Sequence, residues 1–86
     1  MLIRTSSRFE KRYQKLPAHI KERAKEREQL FRVSPFHPLL RTHKLSGKEK
    51  EHWAFWITHF YRIKFIFLAD EEVLFLDVGT HDEVYR

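Results

Sequence analysis

His81 stands in an eight-residue stretch, Gly79, Thr80, His81, Asp82, Glu83, Val84, Tyr85 and Arg86, that follows the apolar run from Val73 to Val78. A turn glycine, an imidazole, a phenol and a guanidinium gather there at the end of a buried strand. Rigid backbone at such a place holds side chains while leaving their tips open to a ligand. A second segment, His43, Lys44, Leu45, Ser46, Gly47, Lys48, Glu49 and Lys50, couples an imidazole to lysines around a glycine that lets backbone approach an anion. If the strands bring these segments near Arg62, they assemble what cleavage of an RNA backbone requires: a base for the ribose 2′-hydroxyl, an acid for the departing 5′-oxygen, and fixed positive charge for the phosphorane-like transition state. Histidine suits the first two tasks because its ordinary pKa lies near neutrality. Each positioned group contributes roughly two to four orders of magnitude in rate. Tyr85, or Trp56, can stack a base for about 1 to 3 kcal/mol. The same residues also have a plain reading, in which Gly79 is only a turn, Tyr85 plugs the core, Arg62 pairs with Asp77 or Glu72, and the lysines coat a solvated loop.

The sequence has six histidines. No pair of them has metal-ligand spacing, so neither a metal nor a small-molecule cofactor is expected. His19 falls in a charged helix, His37 in a proline loop, and His52 and His59 flank a strand; all four read as surface positions.

Two kinds of periodicity place these groups. Leu2, Ile3 and Arg4 read as a short strand, and Thr5, Ser6 or Ser7 can N-cap the helix that follows. Phe9, Tyr13 and Leu16 form one apolar stripe on that helix. Pro17 ends it and can open the next, from Ala18 to Val33, where Ile20, Ala24 and Phe31 share a face flanked by Leu30. Pro35 and Pro38 make the following segment a loop. Beyond it the period changes to two: Trp53, Phe55 and Ile57 alternate in one strand, and Tyr61, Ile63, Phe65 and Phe67 in another. Asp70, Glu71 and Glu72 turn the chain into a third strand over residues 73 to 78. The expected fold is α+β in the order β-α-α-β-β-β, with a helical hairpin packed on one face of an antiparallel sheet. The opposite face, carrying Arg62 and Lys64, is expected to be partly open.

Eighty-six residues make one small domain, 1–86, with room for one core. No cysteine is present, which fits a reducing compartment, and neither a signal core nor a membrane-length apolar run occurs. A cytoplasmic protein with no membrane partner is therefore expected. Residues 1–50 carry 14 Lys and Arg against 5 Asp and Glu, whereas residues 51–86 carry 3 against 7. That asymmetry points to a polyanion, of which nucleic acid is the commonest, or else to a solvated basic helix surface.

The Leu45, Ser46, Gly47 turn, the strand opening Tyr61, Arg62, Ile63, and the closing run Val78, Gly79, Thr80, His81, Asp82, Glu83, Val84, Tyr85 together resemble the RelE/ParE superfamily of toxins. The closing run looks like the RelE/YafQ-like branch of mRNA interferases. The resemblance implies a toxin that cleaves mRNA in the ribosomal A site and is neutralised by a cognate antitoxin protein. It marks His81 and His43 as acid/base residues, Arg62 as the phosphate stabiliser and Tyr85 as the residue that stacks or orients the base. Lys44, Lys48, Lys50, Lys64 and Arg86 are the expected contacts to mRNA and ribosomal RNA. Where RelE-type members carry lysines on the strand before the arginine, this chain has Trp53 and Phe55, and the aspartates of YafQ-like members have no counterpart between Trp56 and Phe60. A ParE-like inhibitor of DNA gyrase and a non-catalytic antitoxin-binding relative are the alternative readings.

Overall fold

The computed structural model describes residues 1–47 and 51–85. The elements run β1 (Leu2–Thr5), α1 (Ser7–Gln14), α2 (Ala18–Val33), a 3-10 turn (Pro38–Leu40), β2 (His43–Lys44), β3 (Trp53–Trp56), β4 (Tyr61–Ala69), β5 (Glu72–Thr80) and α3 (His81–Tyr85). This is the expected α+β architecture, with the helical hairpin on one face of the sheet. Ser6 caps α1, its hydroxyl accepting from the Phe9 N–H at 3.0 Å. Ile20, Ala24 and Phe31 form the buried stripe of α2, as their spacing requires.

The sheet has the order β1-β5-β4-β3-β2. Residues 53–80 form the antiparallel meander, but β1 joins β5 in parallel, so the sheet is mixed rather than antiparallel throughout. The connection from β1 to its partner spans most of the chain, and nothing local in Leu2, Ile3 or Arg4 specifies that direction. His43 and Lys44, expected in a basic loop, instead form a two-residue edge strand against Ala54 and Trp53.

Phe31 sits at the centre of the core, its ring 4.7 Å from Phe55, 5.0 Å from Phe65 and 5.7 Å from Phe75. A β-bulge keeps β5 facing this core. Phe75 pairs with Phe65, yet the next pair is Asp77 with Lys64, which leaves Leu76 unopposed. Val73 and Phe75 point inward before the bulge, and Val78 points inward after it. The same shift puts Asp77 and Gly79 opposite Lys64 and Arg62 on the other face.

That other face is partly covered. The chain turns back as α3, whose Val84 is fully buried together with Ala54, and neither residue belongs to the main core cluster. Arg62 is 7% exposed and Lys64 9%, yet each lines a cleft on this face, Arg62 beside His81 and Lys64 beside His52 and Asp77. Gly79 corrects a second expectation. It is an interior residue of β5 rather than a turn, and the strand ends one residue later at Thr80.

Candidate active site

Tyr85, at the end of α3, reaches across to the edge strand β2. Its hydroxyl lies 2.7 Å from His43 Nε2, while His43 Nδ1 lies 2.8 Å from the carbonyl oxygen of Arg41. A carbonyl can only accept, so Nδ1 carries the proton, and in the neutral form of the ring Nε2 presents a lone pair. The phenol therefore donates to His43. Arg41 can direct its carbonyl in this way because it takes a left-handed conformation, φ 52°, at the end of the 3-10 turn. Burial pushes the Tyr85 hydroxyl above its ordinary pKa, and the nearby Arg62 guanidinium pulls the other way. At neutral pH the phenol keeps its proton.

His81 opens α3, its N–H donating to the Phe60 carbonyl at 3.1 Å. Its ring centroid is 4.4 Å from that of Tyr85 and nearly perpendicular to it. Tyr85 thus stands between the two imidazoles, which do not contact each other directly. The His81 side chain is half exposed, with Nδ1 3.5 Å from Asp82 Oδ1. Together with His59, Phe60, Arg62, Thr80 and Asp82 it lines a cleft of about 380 Å³.

Arg62 is anchored at the floor of this cleft. Its Nη1 donates to the carbonyls of His59 at 2.7 Å and Thr58 at 3.3 Å, and its Cζ lies 4.4 Å from the centroid of the Trp56 ring. Neither Asp77 nor Glu72 pairs with it: Asp77 is taken by Arg8 and Arg12, and Arg4 pairs with Glu72. Trp56 also carries the Arg41 guanidinium, 5.2 Å from its ring centroid. Two cations on one indole enlarge the positive field near His43 and Arg62.

The structure thus gathers His43, Arg62, His81 and Tyr85 on one face. Of the named lysines, Lys44 and Lys64 are among the described residues. Lys44 pairs opposite Trp53, on the other face from His43, with its side chain exposed. Lys64 is buried on the face of Arg62 and set opposite Asp77, beside a cleft that it lines with His52 and Arg8. Lys48, Lys50 and Arg86 lie outside the described residues. Alternation along β3 sets which of its residues face the cluster. Trp53 and Phe55 turn toward the core, and Ala54 and Trp56 occupy the positions beside Lys64 and Arg62. Among the described residues, no group of three or more His, Asp or Glu side chains is arranged to hold a metal ion.

No family model matches the sequence, and no curated protein matches it. Solved structures do match over nearly the whole chain. A YoeB/ParE toxin from Agrobacterium tumefaciens superposes with a TM-score of 0.79 at 18% identity, covering 94% of this chain and 99% of its own. YafQ from E. coli gives 0.78 at 18% identity, covering 98% and 97%. The RelB-RelE antitoxin-toxin complex from Methanococcus jannaschii gives 0.73 at 19% identity, covering 95% and 94%. The chain has the RelE/ParE toxin fold. Within that fold, β3, β4 and β5 supply the floor of the site, the edge strand β2 supplies His43, and α3 supplies His81 and Tyr85. Arg12, Glu83 and Arg41 are neighbours to which sequence reasoning gave no role, and Asp77, weighed as a partner of Arg62, pairs with Arg8 and Arg12 instead. One of them had a readable signal: Thr80-x-x-Glu83 is a helix-capping pattern.

Proposed function

We propose that this protein is the toxin of a toxin-antitoxin pair, an endoribonuclease that cuts mRNA on the ribosome. The observation that carries the reading is the contact of Tyr85 Oη with His43 Nε2 at 2.7 Å, flanked by His81 and Arg62. A surface that only binds has no need of two imidazoles joined through a phenol beside an anchored guanidinium.

The chemistry is an internal transfer. As the ribose 2′-oxygen bonds to phosphorus, Tyr85 takes the 2′-hydroxyl proton and passes its own proton to His43 Nε2. Protonated His81, exposed in the cleft, delivers a proton to the 5′-oxygen as the P–O5′ bond breaks. Arg62 stabilises the charge that builds on the non-bridging oxygens. The products are a 2′,3′-cyclic phosphate and a 5′-hydroxyl, and exchange with water restores both histidines. Lys44, exposed on the edge strand, is a contact to ribosomal RNA. An antitoxin is the protein partner, by analogy with RelB and DinJ, which occupy complexes of this fold.

Mapping mRNA 5′ ends on translating ribosomes tests the reading. New ends are expected with the wild-type protein and not with His81→Ala or Arg62→Ala. Intact mRNA with the wild type, accompanied by DNA breaks in cells, would favour gyrase inhibition instead.

A further inference from the structure

Arg12, Gly79 and Glu83 form a cluster beside the cleft that the proposed chemistry does not use. Thr80 and Glu83 cap α3 reciprocally. The Thr80 N–H donates to Glu83 Oε1 at 2.8 Å, and the Glu83 N–H donates to Thr80 Oγ1 at 3.4 Å. A five-residue helix is far too short to hold its own direction, so that direction is set by what grips it.

Arg12 supplies the grip from α1. Its Nε lies 3.1 Å from Asp77 Oδ1 and donates to the Val78 carbonyl at 3.2 Å, and its Nη2 is 3.6 Å from Glu83 Oε2. Asp77 is itself buried and held by Arg8 and the Val78 N–H, which fixes the near end of the arginine. Gly79 provides the room. A Cβ there would stand 2.6 Å from Glu83 Oε1 and 3.0 Å from Arg12 Nη2. A larger residue would push the ends of these two flexible side chains away from β5. The Glu83 carboxyl is held below its ordinary range, chiefly by the Thr80 N–H, with Arg12 adding to the effect and desolvation opposing it.

We propose that Arg12 and Glu83 are positioning residues of the site. With Gly79 leaving them space, they set the angle of α3 on β5 so that Tyr85 reaches His43 while His81 faces the cleft. The catalytic part of this inference rests on reading that cluster as an RNA-cleaving site.

The test combines 15N NMR of the His43 ring with ribosome-dependent cleavage kinetics, in Arg12→Ala, Glu83→Ala, Glu83→Gln and Gly79→Ala. Glu26→Ala, which removes an exposed carboxylate paired only with Arg23 among the described residues, is the control. The wild-type Nε2 signal should report a hydrogen-bonded nitrogen. In Arg12→Ala, Glu83→Ala and Gly79→Ala it should move toward that of a free imidazole, and kcat should fall by roughly 100-fold, as for a misplacement of about 1 Å, with little change in KM. Gly79→Ala removes no functional group, so its loss reports displacement alone. Glu83→Gln, whose amide oxygen can still accept from Thr80, should retain more activity than Glu83→Ala. If Glu83→Ala does not fold, the Glu83→Gln and Gly79→Ala spectra decide. An unchanged Nε2 signal in folded Arg12→Ala and Gly79→Ala, or an equal loss in Glu26→Ala, would overturn the proposal. Should the wild type cleave no RNA, the catalytic reading fails, and the Nε2 signal still decides whether the clamp places Tyr85.

Discussion

Tyr85→Phe separates chemistry from packing at this site. The substitution keeps the ring, whose centroid is 4.4 Å from His81 and 6.0 Å from His43, and removes only the oxygen that lies 2.7 Å from His43 Nε2. One neutral hydrogen bond is worth about 1 kcal/mol of stability. His43 is only half-buried, so water can replace the lost donor and the cost falls toward the lower end. Against a total of about 5 to 15 kcal/mol, the variant remains folded. The rate should respond on another scale. If the phenol relays the 2′-hydroxyl proton, its loss slows cleavage by about two to four orders of magnitude, or roughly 3 to 5 kcal/mol of barrier. Single-turnover cleavage on programmed ribosomes, with thermal melts of the same samples, measures both quantities. Because Tyr85 and His43 act as one unit, His43→Ala should slow the reaction comparably, and the double variant should be no slower than either single one. A Tyr85→Phe rate within about fivefold of wild type, or fully additive losses in the double variant, would refute the relay.

Arg62→Lys keeps the charge but loses the planar fork that grips the Thr58 and His59 carbonyls, so a drop of about 100- to 1,000-fold in kcat is expected from the same kinetics. Phe31→Ala empties the centre of the core, and urea unfolding should show a loss of about 3 to 5 kcal/mol. Burial raises the hydroxyl pKa values of both Tyr13 and Tyr85 above 10.0. A folded pKa raised above the unfolded one means that this stability is fully present below pH 10 and is lost as pH rises through the folded values. Urea midpoints should therefore fall as pH rises above 10.0, and less steeply in Tyr85→Phe. Glu83 has the opposite sign: its lowered pKa contributes stability present above the ordinary 4.5 and lost as pH falls through the folded value, a loss that should disappear in Glu83→Gln acid titrations.

The helical hairpin and the meander were legible because each rests on local periodicity, the stripe of Ile20, Ala24 and Phe31 and the alternation of Ile63 and Phe65. The types of the four site residues were legible for the same reason, since chemistry belongs to the side chain itself. Their arrangement was not. His43 and Tyr85 meet across 42 residues of sequence through a two-residue edge strand, too short to leave a periodic signal. The alternating set Trp53, Phe55 and Ile57 does turn inward, with Phe31 packing on Phe55. Gly79 reads as a turn in the sequence because glycine commonly marks one. Its actual role, leaving space for Glu83, depends on a helix that comes after it and on Arg12 from the other end of the chain. The bulge at Leu76, which carries Asp77 to the face of Lys64, left no sign in the apolar run from Val73 to Val78.

The most direct measurement uses a message with a single 2′-O-methyl group at a mapped cleavage position, compared with the unmodified message on the same ribosomes. The account predicts that the unmodified message is cut to a 2′,3′-cyclic phosphate and a 5′-hydroxyl, and that the modified one stays whole at that position. An unmodified message left intact, or cleavage of both messages alike, would contradict it.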